Sequence, residues 1–418
     1  MLLEEPYSFD GAFAGTGHTA VYLSGVCADS PVKLRACLPG EAGVVLSRYH
    51  RVGPYDWLAI PLIPYLYAVE SPDDVPLIAD PRLVAELRDR YRRAHLEAIA
   101  PDDPGGKTPG GNWYELVGSA YDRTIYAFQI ETSPQQDAAF IAHYNSLPNR
   151  EAYQLVTRNC ADFVREAVNF YYPHAIGRSF IADLHVATPK HAAKCLVKYS
   201  RKHRDLFFTS YVIPQVPGGV KRSKPIHGLV DSIFKAKKYE IPLLVLHPVV
   251  GGGVGLAYLM SGRFDPARHA LLYQPGGDLQ KPLSAPERKA HLQTVRELIR
   301  AEAASDTEGI TPGWRQFAAS AELALDSSGR PILRGTFGDH AVSLGISRQN
   351  FGSDLPGASA ELETQLLLTR LRQELRSGGP PKVSDALLRD DLNLLQRAVA
   401  SAQTASAARP SLTSLNAQ

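Results

Sequence analysis

Short alternating apolar segments, broken by Gly and Pro, constrain the fold of this chain more than any other feature. Three of them lie between Thr16 and Val69: "HTAVYL", "GVVLSRYH" and "DWLAIPLIPYLYAV". Alternation with a period of two predicts strands with one buried face. Helical patterns follow, and one further strand pattern lies among them: "PRLVAELRDRYRRAHLEAI", "TIYAFQIET" and "SPQQDAAFIAHYNSL". This order of elements predicts an α+β fold.

The composition is that of a globular protein with a sizeable core. The chain has 418 residues, of which 44% are hydrophobic and 21% charged, enough for one large or two ordinary domains. A formal net charge of +2 provides no strong field for nucleic acid, so we expect no nucleic-acid partner. Two basic stretches, Lys190 to Arg204 and Lys221 to His227, are interpreted as solvated faces, with anionic lipid headgroups as the alternative.

Four cysteines are present, and their spacing argues against a metal site. Cys27, Cys37, Cys160 and Cys195 form no CxxC pair, so we expect neither a metal nor a cofactor. Cys27 and Cys37 bracket a short loop that contains Pro31. In an oxidising compartment they could close a hairpin disulfide, and otherwise they remain free. Cys195, in "AAKCLVKY", is interpreted as an inert core residue.

The stretch "TRNCADFV" places a cysteine where its thiol can be activated. Asn159 is a good N-cap residue, so Cys160 would occupy the first helical position. There its sulfur would lie beside unpaired backbone N–H groups, which are expected to lower the thiol pKa and to receive an oxyanion. Tyr153 and Asn159 are candidate additional members of this oxyanion site.

A thiol nucleophile also needs a base, and "GTGHTAVYL" supplies His18 at the front of a strand. A third group must hold the imidazole. On the next strand pattern, Ser47 and Tyr49 lie on one face and His50 on the other, and the sequence does not fix the register. His50 is the first candidate and Ser47 the alternative. The remaining histidines singled out are interpreted as structural or surface residues: His143, His174, His185, His191 and His247.

Two motifs, "GHTAVYL" and "NCADFV", set a characteristic order of residues. A strand histidine comes first, then a polar residue on the following strand, and then a cysteine that opens a helix. This order resembles the circularly permuted papain-like superfamily, which includes lecithin retinol acyltransferase-type enzymes and permuted NlpC-like cell-wall peptidases. The chain is most similar to the periplasmic domain of Lnb-type lipoprotein N-acyltransferases, over about residues 8 to 205. The resemblance implies an antiparallel sheet packed on the helix of Cys160, with Cys160 as the thioester-forming nucleophile and His18 as general base and then acid.

The resemblance also implies a function. We expect a thiol-dependent acyltransferase or hydrolase that acts on a lipid or lipoprotein acyl group in the cell envelope. The alternatives are a cell-wall peptidase or amidase, which needs a polar groove, and a binding module without turnover. The expected location is periplasmic or membrane-associated. No signal peptide is visible near Met1, so a cytoplasmic location is the alternative.

Composition changes along the chain predict its domain organisation. We expect a permuted papain-like catalytic domain at 8–208, a Pro/Gly-rich connecting segment at 209–280, a mainly helical region with a hairpin at 281–400 and a disordered tail at 401–418. Ile241 to Phe264 is uncharged before Arg263 and long enough to span a bilayer. Its glycines and prolines favour a buried or membrane-surface segment instead.

Overall fold

The computed structural model describes residues 1–7, 16–150, 153–179, 183, 186–218, 223–228, 249, 252–253, 256, 264–273, 275, 284–305, 312–347, 351–353, 362–368, 392 and 394–395. The chain divides into two compact units. The first comprises Met1–Glu70, Val84–Gln215 and Val220–Gln274, and the second comprises Ser71–Leu83, Val216–Gly219 and Pro275–Gln418. The observed class is α+β, as expected from the sequence.

In its described part, the first unit contains one sheet of seven strands and a separate hairpin. The sheet strands are β1 (Leu2–Glu4), β2 (His18–Leu23), β5 (Val44–Ser47), β6 (Leu58–Pro61), β7 (Ile125–Gln129), β8 (Thr209–Ile213) and β9 (Leu271–Leu272). Their order is β6-β5-β2-β1-β7-β8-β9, with antiparallel neighbours except for the parallel β8 and β9. The hairpin consists of β3 (Val26–Ser30) and β4 (Lys33–Ala36), and a disulfide joins Cys27 to Cys37 across it.

The position of β1 differs from the predicted domain start at residue 8. Leu2 and Leu3 are buried, and the strand lies between β2 and β7 in the middle of the sheet. Leu2–Glu4 is too short for alternation to identify as a strand in the sequence. The boundaries 209–280 and 281–400 stay predictions.

Along the first half of the chain, helices lie between the strands of this sheet in sequence. They are α1 (Leu62–Tyr67), α2 (Pro81–Tyr91), α3 (Ser119–Asp122), α4 (Pro134–Ser146), α5 (Cys160–Tyr171) and α6 (Pro189–Lys202). One π-helical turn, Arg92–Leu96, continues α2, and short 3₁₀ turns occur at Pro72–Asp74, Asn112–Leu116 and Arg204–Leu206. The N-cap predicted for α4 is confirmed, since Ser133 and Gln136 form a reciprocal capping box.

The strand predicted for "DWLAIPLIPYLYAV" is only partly observed. Leu58–Pro61 is β6, but Leu62–Tyr67 is the helix α1. Short apolar runs do not separate strand from helix by periodicity, and Pro64 is tolerated in a first helical turn. Ala68 ends the helix in the left-handed conformation, where its N–H donates to the Pro64 carbonyl at 2.8 Å.

Helix α5 positions the candidate site because it packs on β2 and β5. Its inward face is apolar and buried: Phe163, Val164, Ala167 and Val168. At roughly 1.5 to 3 kcal/mol for each large aliphatic or aromatic side chain, this face fixes the helix on the sheet. The first residue of α5, Cys160, therefore lies near the beginning of β2, His18.

The second unit contains helices and a sheet. The helices are α7 (Ala285–Ser305) and α8 (Pro312–Ser320), and residues 362–368 are also helical. The predicted hairpin is formed by β10 (Glu322–Leu325) and β11 (Pro331–Phe337). Two further strands, β12 (His340–Gly345) and β13 (Gly352–Ser353), extend it to a four-stranded antiparallel sheet.

Two predicted segments lie largely or wholly outside the described residues. Of Ile241 to Phe264, only 249, 252–253, 256 and 264 are described, and the tail 401–418 is not described at all. Within the part of the chain that the structure describes, no helix is both long and apolar enough to cross a membrane. Contact of Ile241 to Phe264 with a membrane surface stays a prediction.

Candidate active site

His18 begins β2, and both neighbouring strands fix its position. It pairs with Glu4 of β1, and on the other side Val21 pairs with Leu46 of β5. This register brings Ser47, the last residue of β5, next to the start of β2. The Ser47 hydroxyl oxygen lies 3.1 Å from His18 Nε2 and 2.8 Å from the Thr19 carbonyl oxygen.

These two contacts assign the imidazole tautomer. A hydroxyl has one hydrogen, and the Thr19 carbonyl can only accept, so Ser47 donates to Thr19. Ser47 must then accept from His18, which places the hydrogen of the neutral ring on Nε2. The basic lone pair is consequently on Nδ1. This is the arrangement that a general base needs, with one nitrogen held and the other free to take a proton.

Cys160 opens α5 as the sequence predicted. The Asn159 carboxamide oxygen accepts from the Ala161 and Asp162 N–H groups at 2.8 and 3.1 Å, which is an N-cap. The Cys160 sulfur is hydrogen-bonded by the backbone N–H groups of Thr19 and Ala161. The thiol thus meets the residue that follows His18. The peptide groups of Thr19 serve both halves of the site, its N–H at the sulfur and its carbonyl at Ser47.

The protonation states differ from the expected activated thiolate. Burial raises the pKa of the Cys160 thiol to about 12, and the Glu4 and Glu115 carboxylates act in the same direction. The Thr19 and Ala161 N–H groups lower it, but by less. Burial likewise lowers the pKa of His18 to about 4, opposed by Glu4 and assisted by Arg123. The prediction of a lowered thiol pKa was therefore wrong, because desolvation outweighs the helix N-terminus; the resting pair is thiol and neutral imidazole.

A buried polar cluster behind His18 was not identified from the sequence. Glu4 is fully buried and accepts from the Tyr65 hydroxyl, from Ser119 Oγ at 2.9 Å and from the Arg123 guanidinium at 3.5 Å. The ring of Tyr49 stacks on His18 with centroids 5.2 Å apart. The only signal in the sequence was an acidic residue that follows "LL" at the start of the chain.

An ionic network holds the end of β5 against the loop that leads to Cys160. Arg48, which follows Ser47, is 2% exposed and binds both oxygens of Asp56, at 2.7 and 2.9 Å. Arg158 binds the same carboxylate at 2.8 Å, and Arg48 also reaches the Asn159 carbonyl at 3.4 Å. Removing one member would leave a buried charge without compensation, so this network fixes Ser47 and Cys160 relative to each other.

Two residues predicted from the sequence, His50 and Asn159, have contacts that bear on their expected roles. His50 is exposed, and its ring lies 5.1 Å from that of Tyr153; the contact to His18 is made by Ser47 instead. Asn159 donates its amide hydrogens to the Leu155 and Ala187 carbonyls. Both hydrogens of its carboxamide are therefore engaged by backbone carbonyls.

Burial is the largest cause that raises the pKa of the Tyr153 hydroxyl. Tyr153 also lies close enough to Cys160 for a negative charge on the sulfur to raise this pKa further. Its hydroxyl is therefore protonated at neutral pH and can donate. In the described part of the chain, no partner is found for the backbone N–H of Cys160. This N–H and the Tyr153 hydroxyl are the candidate donors to an oxyanion that forms at the sulfur.

Cys195 was interpreted as inert, but it makes a specific polar contact. Its sulfur lies 3.2 Å from Nε2 of His191 on the same helix. Of the other histidines, His143 stacks on Phe170 and His174 adopts a positive φ, whereas 185 and 247 lie outside the described residues. Cys27, Cys37 and Glu41 also lie together, but both sulfurs are in the disulfide and Glu41 pairs with Arg35. This set therefore does not fit a metal ion.

Comparisons of the chain with protein-family models, with curated proteins and with solved structures found no match. The chemical character of the site consequently follows from its geometry alone. The site contains a thiol at a helix N-terminus, an imidazole with an assigned basic nitrogen and a hydroxyl that orients the ring. These are the chemical groups that a nucleophile, a base and a positioning group require.

Proposed function

We propose that this chain is a thiol-dependent acyltransferase or hydrolase of the permuted papain-like type, acting on a lipid or lipoprotein acyl group in the cell envelope. The observation that carries the proposal is the meeting of Cys160, His18 and Ser47 through the Thr19 peptide groups. The order of these residues along the chain and the packing of α5 on an antiparallel sheet support the permuted papain-like type.

The reaction begins from the neutral pair. His18 Nδ1 removes the thiol proton as the Cys160 sulfur attacks the acyl carbonyl carbon, so a thiolate need not accumulate. The tetrahedral oxyanion is stabilised by the Cys160 N–H and the Tyr153 hydroxyl. When it collapses, His18 gives the proton to the departing alkoxide, leaving a thioester on Cys160. An amine or water then attacks the thioester with His18 as base, and the free thiol is restored.

Exposed apolar side chains near the nucleophile favour a lipid substrate over a polar cell-wall peptide. The segment that leads from α4 to Cys160 exposes about half of each of three large aliphatic side chains: Leu147 (46%), Leu155 (48%) and Val156 (57%). Exposed large apolar side chains along one segment are typical of surfaces that bind apolar ligands. A peptidase would gain nothing from this arrangement, so the peptidase or amidase is the alternative outcome of the test below.

The test is intact-mass spectrometry after incubation of the full chain with a bacterial phospholipid extract. Cys160→Ala removes the proposed nucleophile, and Cys195→Ala is the matched control because it removes the other free thiol. We expect an added fatty-acyl mass on the parent and on Cys195→Ala, released by hydroxylamine, and none on Cys160→Ala. An adduct that persists on Cys160→Ala contradicts the proposal. No adduct on any protein, with turnover of peptidoglycan fragments, would establish the peptidase instead.

A further inference from the structure

Helix α6 carries a second thiol and a base, and a carboxylate from the chain that precedes this helix faces the base. Cys195 Sγ lies 3.2 Å from His191 Nε2, within hydrogen-bonding distance. On the far side of the ring, His191 Nδ1 lies 3.8 Å from Asp183 Oδ2. The Asp183 side chain is only 2% exposed, so its charge is held at the imidazole. A nucleophile and base within hydrogen-bonding reach, with the base faced by a third group, are the signature of an activated nucleophile.

The backbone and nearby charges complete this second constellation. Gly177 hydrogen-bonds both the Cys195 and the His191 side chains through its backbone. Lys194 and Lys198 act on the sulfur as positive charges, whereas Asp183 opposes them. Burial raises the pKa of Cys195 and lowers that of His191. His191 is thus a neutral ring that can accept the thiol proton.

This thiol is also more accessible than that of Cys160. Cys195 is partly exposed, whereas Cys160 is 7% exposed. The His191 side chain is 17% exposed. Of these two free cysteines, Cys195 is therefore the more accessible to a small solute, and the positive charges of Lys194 and Lys198 favour a solute that carries carboxylates.

We propose that Cys195 is a modification site that undergoes thiol–disulfide exchange with small, carboxylate-bearing disulfides, with His191 as its base and Asp183 as the positioning residue. His191 Nε2 takes the thiol proton, and the sulfur attacks one sulfur of the disulfide. A bond forms between the two sulfurs as the original S–S bond breaks and a thiolate departs. The small disulfide is the oxidant, so the step balances without a further reagent.

Disulfides are the electrophile class that the rest of the chain supports. Cys27 and Cys37 form a disulfide, and disulfides form and persist in oxidising environments. In such surroundings Cys195 meets small disulfides while Cys160 stays covered. The modification does not depend on the acyl chemistry proposed for Cys160, because it uses a different thiol, base and carboxylate.

The test uses the full chain with Cys160→Ala, so that Cys195 is the remaining free thiol. It compares reaction with dithiobis(nitrobenzoate), which carries two carboxylates, and with dithiodipyridine, which is neutral. For the Cys160→Ala protein, we expect one equivalent of the reagent's thiolate to be released without denaturant. The double variant Cys160→Ala, Cys195→Ala should release none. His191→Asn should slow the reaction by about tenfold or more, the lower range for loss of a general base. Equal rates with and without His191, or reaction only in denaturant, overturn the proposal.

A second pair of variants tests the charge argument without touching the buried groups. Lys198 and Lys202 are both exposed on α6, but only Lys198 acts on the Cys195 sulfur. Lys198→Gln should lower the preference for the carboxylate-bearing disulfide by about twofold or more, and Lys202→Gln should leave it unchanged. If both variants retain the parent's preference, the assignment of the electrophile is overturned, whether or not His191→Asn folds.

Discussion

Cys160 is linked to His18 through the Thr19 backbone, whereas Cys195 contacts His191 directly, and the two sites are assembled from the sequence in different ways. The first joins β1, β2, β5 and the start of α5, and its histidine is 142 positions away. The thiol and base of the second site lie on one helix, because residues four apart lie on the same face. Tertiary packing hides the first thiol from water, whereas the second remains partly exposed. The two cysteine–histidine sets therefore differ in burial and access more than in residue type.

The largest expected effect is a difference between His18 and His191 in the rate of acyl transfer. Replacing a general base typically lowers a rate by about 10² to 10⁴. We therefore expect His18→Ala to lower the rate of acyl-adduct formation on Cys160 by that factor, and His191→Ala to leave it within about twofold. The measurement is time-resolved intact mass. An equal loss in both variants would mean that the two pairs do not act separately.

The next effect concerns stability at acidic pH. Unfolded histidine has a pKa near 6.5, whereas that of buried His18 is about 4. Between these values the unfolded chain binds a proton that the folded chain does not, so the free energy of unfolding falls as the pH is lowered from 6.5 to 4. At about 1.4 kcal/mol for each pKa unit, the loss is roughly 3 kcal/mol.

Urea unfolding at pH 7 and pH 4 checks this dependence. His18→Gln should lose about 3 kcal/mol less than the parent between the two pH values. His191→Gln should also reduce the loss of unfolding free energy between pH 7 and pH 4, but by less than His18→Gln does. The reason is that Asp183 favours protonation of His191 in the folded chain. Identical pH dependence in the parent and in His18→Gln would contradict the neutral, buried state of His18.

The smallest effect tests the positioning group. Ser47→Ala removes the hydroxyl that fixes the His18 tautomer, and we expect the acyl-adduct rate to fall by about tenfold, with the pH profile retained. His50→Ala is the control from the same turn of chain, and its rate should stay within about twofold. A larger loss in His50→Ala than in Ser47→Ala would restore His50 as the third group. Circular dichroism checks that both variants fold.

The elements that local signals specify could be predicted. Asn159 and the apolar face after it were enough to begin a helix at Cys160, and alternation was enough for β2, β5 and β7. Contacts that depend on the register between strands could not be predicted from the sequence. The choice between Ser47 and His50 is decided by how β5 aligns with β2 and by the end of β5 at Ser47, which leaves His50 beyond the strand.

Two misses have different physical causes. The Glu4 cluster joins side chains from distant segments, so no local pattern indicates it. The Cys195 pair was available from the sequence, since His191 and Cys195 are four residues apart in a stretch that forms a helix. Treating each residue singly led to the inert interpretation, whereas their spacing predicts a contact.

The role of Thr19 has a consequence for genetics. Substituting its side chain removes the Oγ1 bond to the Leu2 carbonyl, but no encoded residue other than proline deletes its N–H. A scan of side-chain variants at this position therefore reports on the sheet and leaves the contact with sulfur untouched. Selection can act on that contact only through the alignment of neighbouring strands. Chemical synthesis with the corresponding α-hydroxy acid at position 19 would replace this N–H by an ester oxygen and so test the contact with sulfur directly.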